Sequence, residues 1–469
     1  MNYRLPKLED YKILKDYVIE HYSNHERSIS ASLGMTNMKY EDWVTKVNRN
    51  RTLRRSFDGD PKKIKADQNR KVHKLMKRAY KIPVYREKFE QSGTTPADYH
   101  SAEDLVKFPT LTKPELRIWM QTEWDEHPEK HDDINILSTS GSSGTPLKML
   151  YTQKEQACSD ANWARALAAA GYKPLRGKMY SFSTSHKGPR KKDRDSIIQK
   201  FGLMRRKVVG EDHIVGDGIA DLIADINEYK PDLICLRRNV MVRMVAYAEE
   251  HNLTIYKPKF YAPISEMVDG VTRKLLAKAL GPGLIDAYGV SEMGSFIYQF
   301  PEKDFRYVAN DIAVANVYND KNELADDGRI VVTSLYKHTY PLINYETLDL
   351  GKSYVKDGIR YFTDIEGRMN DLVKHEGGAD SSALQLMRIA NHTVGLSQFR
   401  FIEETYHDMK IQLVSDPFNK SMTKEQIEER FITEVTKLYG DEFRITIEWL
   451  DELPPDKTGK QRCFVCNVK

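Results

Sequence analysis

Apolar residues spaced three and four apart, with charges filling the positions between them, predict a largely helical stretch over about residues 1–130. Between Asn69 and Gln91, Val72, Leu75, Met76, Ala79 and Tyr80 fall at this spacing, and Pro83 interrupts the run. Ser101 with Asp104, and Thr112 with Glu115, have the spacing of helix-start capping boxes. Nothing in this stretch is catalytic by its chemistry, so packing is its expected task. Farther on, Lys154 to Ala170 reads as an alanine-rich helix ended by Gly171. A helix over Ile219 to Tyr229, a short buried strand within 231–236 and a helix from Val240 to His251 then alternate. That alternation predicts a layered α/β domain. Pro258 to Ile264 leads into a helix that runs through Leu280 and stops at Gly281-Pro-Gly283.

From 307 to 365 the pattern turns to strands, at 311–318, 328–335 and 341–350. Asn319-Asp320 and Asp326-Asp-Gly328 separate them as hairpin loops, which predicts a small antiparallel sheet or barrel. The pattern changes again across Ile365 to Lys374, followed by Gly377-Gly378, and the domain junction is placed there. The last hundred residues read as a strand at 399–403, a strand at 411–414, a helix at 423–439 and a strand at 444–450. The expected fold class is α/β. A large layered domain (1–368, with its helical lead-in at 1–130) carries a small β-barrel-like subdomain, and a small mobile α+β lid domain (369–469) follows.

Composition narrows the functional classes. With 469 residues and 40% hydrophobic residues, the chain can bury a large core in two or three domains. Its 72 basic residues nearly balance 68 acidic ones, so net charge gives no reason to expect a nucleic acid partner. No apolar run reaches the roughly 18 residues needed to span a bilayer. The start, Met1-Asn-Tyr-Arg-Leu-Pro, lacks the apolar centre of a signal peptide. Cys158, Cys235, Cys463 and Cys466 are too few for a disulfide scaffold, and the lone Cys-x-x-Cys has no second pair to complete a zinc site. A soluble cytoplasmic protein is expected.

Chemistry concentrates at Ser138-Thr-Ser-Gly-Ser-Ser-Gly-Thr-Pro-Leu-Lys148, flanked by apolar segments on both sides. Strand, tight polar loop, strand is the natural reading. Gly141 and Gly144 allow positive φ, so successive backbone N–H groups can converge on one anion, with hydroxyl donors and the Lys148 charge beside them. The spacing is not that of a Walker A loop, and a Ser/Gly linker is the plain alternative. In Leu284 to Gly294 a short strand ends in Tyr288-Gly289 and presents Ser291 and Glu292. A carboxylate at a strand's carboxyl end lies where open α/β sheets bind ligands, and beside a phosphate loop its task would be to hold Mg²⁺. Equally, Ser291 could cap a short helix with Glu292 set against its dipole. Asp349, expected at the end of its strand, could accept two sugar hydroxyls. The basic stretch 186–195, continued by Arg205-Arg-Lys207, reads first as a solvated face. Pro454 to Lys460 reads as a charged turn whose lysine could be swung onto an anion.

In their order along the chain, these elements resemble the adenylate-forming superfamily of acyl-CoA synthetases, peptide-synthetase adenylation domains and beetle luciferases, from about residue 80 onward. Ile82-Pro-Val-Tyr-Arg-Glu-Lys-Phe89, Phe108-Pro-Thr-Leu-Thr-Lys113 and Pro341-Leu-Ile-Asn-Tyr-Glu-Thr-Leu-Asp349 are most similar to the phenylacetate–CoA ligase branch and its capsule-biosynthesis relatives. The resemblance implies ATP-dependent adenylation of a carboxylic acid followed by acyl transfer, with ATP, Mg²⁺ and CoA as cofactors. It gives Thr139, Ser140, Gly141, Ser142, Ser143, Gly144 and Lys148 to the ATP phosphates. Tyr288 and Gly289 fall at the adenine, Ser291 at a phosphate, Glu292 on Mg²⁺ and Asp349 on the ribose. Arg368 would reach the ribose or phosphate side, and Lys460 would lie between the substrate carboxylate and the α-phosphate. The hinge would lie at Asn370 and Asp371, and a homodimer is the implied assembly.

Several positions depart from that branch. Asn344 and Glu346 stand where it has two arginines, and Asn370 where it has the first of two aspartates. Tyr261-Ala-Pro263 replaces a Gly-Gly-Glu, and Glu376-Gly-Gly-Ala-Asp-Ser-Ser382 replaces its Arg-Gly-Val-Asn-Val-Phe-Pro. Adenylation survives these changes, while the acyl acceptor stays open between CoA, an amine and a carrier-protein thiol.

Overall fold

The computed structural model describes residues 57, 59–129, 134–138, 147–173, 176–183, 205–210, 218–368, 372–378, 380–419, 421–455 and 461–468; the side chain of Arg368 is among a few within these ranges that lie outside the description. Helix α1 (Pro61–Ala79) starts on Asp60, whose carboxylate accepts from the Lys62 N–H at 3.0 Å. It buries Val72, Leu75, Met76 and Ala79, the predicted stripe. Helix α2 (Pro83–Gln91) buries Tyr85 and Phe89. Both capping boxes form, but the Ser101 box opens a 3₁₀ segment, Ala102–Lys107, and only the Thr112 box opens an α-helix, α3 (Lys113–Glu126).

Strands β1 (Ile134–Ser138) and β2 (Lys148–Thr152) pair antiparallel, with Ser138 opposite Lys148, so they form the two predicted arms of the polar loop. Helix α4 (Gln153–Ala169) follows at once. The next elements are β3 (Met179–Ser183), β4 (Arg206–Gly210), α5 (Gly218–Tyr229), β5 (Leu233–Cys235), α6 (Arg238–Glu250), β6 (Phe260–Tyr261) and α7 (Gly270–Leu280). The four strands make a parallel sheet in the order β4-β3-β5-β6. Strand side chains alternate between its faces. Ile234 and Tyr261 join Ile223, Ile226, Val245 and Leu275 of the α5–α7 layer, whereas Leu233, Cys235 and Phe260 pack with Leu167 of α4. Helices on both faces are what a near-continuous apolar parallel strand requires.

Strands β7 (Asp286–Val290), β8 (Gly294–Gln299), β9 (Arg306–Val308), β10 (Ala313–Tyr318), β11 (Asp327–Ser334), β12 (Tyr345–Lys356) and β13 (Ile359–Arg368) form one antiparallel sheet, ordered β10-β11-β12-β13-β9-β8-β7. The expected barrel is therefore an open sheet, with β10 and β7 on opposite edges. The physical reason is that its apolar face is covered from outside. Val72, Leu75, Tyr85 and Phe89 of the lead-in helices share one core with Phe296, Val314, Val332, Tyr345 and Phe362 of the sheet. Polar bonds fix the same junction. Tyr85 Oη donates to the Pro341 carbonyl at 2.8 Å and accepts from the Ile343 N–H at 3.1 Å. Asn344, buried at φ +47, donates its side-chain amide to the Leu105 carbonyl at 2.6 Å and the Phe108 carbonyl at 3.0 Å. Asn344 thus clamps the lead-in to β12, and Glu346 is paired to Arg329 at 2.9 Å. Asp349 does not end its strand as expected: β12 continues to Lys356, and Asp349 sits at a register shift just after Leu348 at φ +65.

The remaining elements are β14 (Leu372–Val373), β15 (Ser381–Ser382), α8 (Leu384–Asn391), β16 (Leu396–Thr405), β17 (Asp408–Ser415), α9 (Lys424–Tyr439), β18 (Arg444–Trp449) and β19 (Phe464–Cys466). A four-stranded sheet, β18-β17-β16-β19, builds a separate core from Phe401, Ile411, Leu413, Phe431, Val435 and Phe464, to which α7 contributes Val271. Helix α8 and the short strands β14, β15 and β19 went unpredicted. Among the described residues, no helix is long and apolar enough to cross a membrane.

Candidate active site

The site gathers around the turn between β7 and β8, which carries Ser291 and Glu292. No helix follows Ser291, so the capping alternative does not apply; the hairpin turns there directly. Two glycines make this turn sterically possible. A Cβ on Gly289 would lie 2.4 Å from both the Gly294 carbonyl oxygen and the Ser295 Cα, and Gly294 has φ +72 with Ser159 Oγ where its Cβ would be. Gly289 therefore has a packing requirement of its own, apart from any contact with a nucleotide.

Glu292 is only 3% exposed. Its Oε1 accepts from Tyr345 Oη at 2.9 Å and lies 3.2 Å from Lys113 Nζ. Lys113 is the first residue of α3, whose start the capping box between Thr112 and Glu115 fixes. The segment expected to serve packing alone thus brings a cation to the site. The turn is tied to β2 as well. Tyr151 Oη donates to the Ser291 carbonyl at 2.9 Å, and Tyr336 Oη donates to the Met293 carbonyl. Lys148, exposed at the first position of β2, is three residues from Tyr151, about 10 Å along the strand.

Lys337 lies beneath this layer, fully buried. Its Nζ donates to the Leu150 carbonyl at 3.3 Å and sits 3.3 Å from the centre of the Tyr151 ring. Burial pushes its ammonium down to about 7, against the opposing pull of Glu155 and Glu292. Glu155, also buried, is occupied by the His338 and Thr339 N–H groups, both donating to its Oε1 at 2.8 Å. Because folding lowers the Lys337 pKa from 10.5, the folded chain binds fewer protons than the unfolded chain between about pH 7 and 10.5. This group's penalty is present below that window and disappears as pH rises through it. Wild-type stability is expected to rise relative to Lys337→Met by on the order of 1 kcal/mol per pH unit from about pH 7 to about pH 10. Urea unfolding of both proteins across that range measures it, and a pH-independent difference would contradict the assignment.

A second cluster joins Tyr288 and Asp349. Tyr288 Oη donates to Asp349 Oδ2 at 2.7 Å. Burial first, and the Asp349 charge next, hold that hydroxyl well above its usual pKa, so it remains a donor. Arg368 is the cross-strand neighbour of Asp349 on β13. Thus Tyr288, Gly289, Ser291, Glu292 and Asp349 share one end of the sheet, with Lys148 on the adjoining ladder. Thr139, Ser140, Gly141, Ser142, Ser143, Gly144, the hinge positions Asn370 and Asp371, and Lys460 lie outside the described residues, as does most of the basic stretch. Of that stretch, Lys207 is paired with Asp225, and Arg206 Nε donates to Ser181 Oγ at 2.7 Å, which gives both a structural role.

A hard divalent cation that keeps several waters and rides on phosphates needs only one or two protein carboxylates. Glu292 fits that demand. Among the described residues there is no group of three or more His, Cys, Asp or Glu that could cage a metal. Lys113, Tyr345, Lys337, Tyr151 and Tyr336 were missed as site residues. Only the Lys113 capping box left a trace in the sequence, since the others reach the turn through tertiary contacts.

No family model matches the chain. The phenylacetate-coenzyme A ligase of Escherichia coli (strain K12) is 26% identical over 346 residues, covering 66% of this chain and 72% of that protein. The phenylacetate-coenzyme A ligase of Thermus thermophilus is 23% identical over 429 residues, covering 82% of this chain and 88% of that protein. Among solved structures, 2-hydroxyisobutyryl-CoA ligase in its postadenylation state with an acyl-AMP superposes with a TM-score of 0.64 at 17% identity, over 85% of this chain and 89% of that one, which shows a shared fold.

Proposed function

We propose that this chain, which belongs to the phenylacetate–CoA ligase-like branch of the adenylate-forming superfamily, activates a carboxylic acid with ATP and passes the acyl group to CoA. The observation that carries this reading is the bonding of β2, the strand leaving the hydroxyl-rich loop, to the turn that presents Glu292, with Tyr288 and Asp349 on the same sheet end. In the first step a carboxylate oxygen attacks the α-phosphorus of ATP and the bond to the bridging oxygen of the β-phosphate breaks. The products are acyl-AMP and pyrophosphate. Both reactants are anions, so positioning and charge neutralisation carry the catalysis. Thr139 to Gly144 and Lys148 hold the β- and γ-phosphates, Asp349 accepts the ribose hydroxyls, and Tyr288 fixes the Asp349 carboxylate. Arg368 reaches the ribose or phosphate side, and Ser291 bonds a phosphate. Lys460 lies between the acid and the α-phosphate, and Asn370 and Asp371 form the hinge of a lid domain starting near 369. Mg²⁺ held at Glu292 supplies charge neutralisation on the phosphates. Lys113 and Tyr345 orient that carboxylate, and Lys113 limits how much negative charge it shows when no nucleotide is present.

In the second step a thiolate attacks the acyl carbonyl and AMP leaves. The acceptor is CoA on this reading. An amine or a carrier-protein thiol is the alternative favoured by the departures at 376–382. Isotope exchange between pyrophosphate and ATP, screened over aryl, fatty and amino acids, tests the first step; CoA-dependent AMP release tests the second. Tight ATP binding with no exchange from any acid would mark a nucleotide-binding protein that only keeps the fold. Release triggered by amines and not by CoA would reassign the acceptor.

A further inference from the structure

Away from the turn that carries Glu292, a second group of reactive side chains meets in the C-terminal part of the chain. Strand β14 pairs antiparallel with β15, Val373 opposite Ser381, which brings His375 and Ser381 together. His375 Nε2 lies 2.8 Å from Ser381 Oγ, and His375 Nδ1 lies 2.8 Å from Glu442 Oε1. A carboxylate can only accept, so in the neutral ring the proton sits on Nδ1 and Nε2 is left to accept from the Ser381 hydroxyl.

The ring is seated on several sides. Tyr439 and Phe443 pack against it with centroids 5.6 and 6.3 Å away. The backbone before it is anchored by buried Glu403, whose carboxylate oxygens accept from the Lys374 N–H at 2.9 and 3.1 Å. Helix α9 ends at Gly440, φ +62, and the turn beyond it delivers Glu442. Tyr439 Oη also hydrogen-bonds Ser381, and burial holds that phenol above its usual pKa, so it stays a neutral donor beside the serine. The group is not sealed. The His375 and Glu442 side chains are 15% and 27% exposed, and Glu376, Gly377 and Gly378 are exposed beside them. Gly377, at φ +69, has open space where a Cβ would lie.

We propose that Ser381, His375 and Glu442 form a second reactive site, at which Ser381 takes the acyl group from an activated carboxylic acid derivative and water then releases it. Nucleophile, base and orienting carboxylate within hydrogen-bond reach are the signature of an activated serine. Ser381 Oγ bonds to the acyl carbon, its proton moves to His375 Nε2, and the bond to the leaving group breaks. A thiol or alcohol departs with that proton, whereas AMP departs as its anion and the proton passes to water. In the second stage a water oxygen bonds to the acyl carbon and gives a proton to Nε2. That proton returns to Ser381 as the ester bond breaks, so the products are the free acid and the restored serine. Glu442 is a positioning residue that keeps the proton on Nδ1 and balances the cationic ring. The site goes beyond the reading under Proposed function and does not rest on it.

The full-length chain treated with a fluorophosphonate probe, with the labelled serine located by mass spectrometry, tests this. Labelling is expected at Ser381 and is expected to be lost in His375→Gln, with thermal unfolding as the control for folding. Hydrolysis of p-nitrophenyl acetate, an acyl-CoA and an acyl-AMP identifies the leaving group. Whichever is turned over should slow by on the order of 10²–10⁴-fold in His375→Gln and in Ser381→Ala. Glu442→Gln should lower kcat with KM unchanged, because the amide still seats the ring but does not balance its cationic form. An unlabelled Ser381 in the wild-type chain would overturn the site, as would a wild type that turns over none of the three compounds. Ser381→Ala within about twofold of wild type on all of them would do the same. Pyrophosphate exchange takes no part in these readings, so its absence would bear on Proposed function alone.

Discussion

Glu292→Gln is expected to lower acid-dependent pyrophosphate exchange by on the order of 10²–10³-fold, the loss typical when one pre-organised electrostatic group is removed from a reacting centre. The amide has nearly the shape of the carboxylate, and its carbonyl can still accept from Tyr345 Oη, which donates to Glu292 at 2.9 Å. Packing of the turn is therefore preserved while its negative charge is lost. That charge also balances Lys113, 3.2 Å away. The amide variant leaves this ammonium without its counterion, but Lys113 is 24% exposed at the side chain and can be hydrated. Little change in the unfolding midpoint is expected as a result. The rate should recover in part as Mg²⁺ is raised, because a weakened ligand shifts occupancy before it removes chemistry. Exchange that stays within about threefold of wild type at every Mg²⁺ concentration would mean that Glu292 serves Lys113 and Tyr345 alone.

The second large effect is on stability. Arg165 lies inside α4 at 2% exposure, donates to Asp311 Oδ2 at 2.5 Å and to Asn162 Oδ1, and stands 5.2 Å from the centre of the Phe57 ring. Asn162 in turn donates to the Ser295 carbonyl and to Tyr298 Oη on β8. The group thus ties α4 to the hairpin whose turn carries Glu292. Arg165→Met removes the cation and leaves Asp311 as a largely buried carboxylate facing apolar surface. Breaking one side of a buried pair costs about 3–5 kcal/mol. Replacing both partners, as Arg165→Met with Asp311→Asn, should recover a large share of that loss, because no uncompensated charge remains. Chemical denaturation of the two variants against wild type measures both numbers. A single variant within about 1 kcal/mol of wild type would show that Asp311 finds water or another partner, and that the pair contributes little.

Periodicity and local spacing accounted for most of the elements. The α1 stripe, the two capping boxes, the β1–loop–β2 arms and the β10–β11 hairpin each depend on residues within a few positions of one another, which a sequence displays directly. The Tyr288-Gly289 segment, by contrast, was read as a strand end, whereas β7 runs on to Val290 and turns back into β8. Asp349 was placed wrongly at a strand end. The register shift at Asp349 arises from pairing with β13 and is invisible along β12 alone. The barrel expectation failed for a similar reason: whether an antiparallel sheet closes depends on what else covers its apolar face, here the lead-in helices.

The order of motifs by itself gave a resemblance to α/β adenylate-forming enzymes, with a hydroxyl-rich loop, a strand-end glutamate and a strand-end aspartate. Only the tertiary structure decided what stands around that glutamate. Tyr345 arrives from 53 residues away, and Lys337 reaches the Leu150 carbonyl from 187 residues away. The physical reason is that charge and hydrogen bonding act through space at about 3 Å, whereas sequence patterns report only the neighbours that one helix or strand brings together.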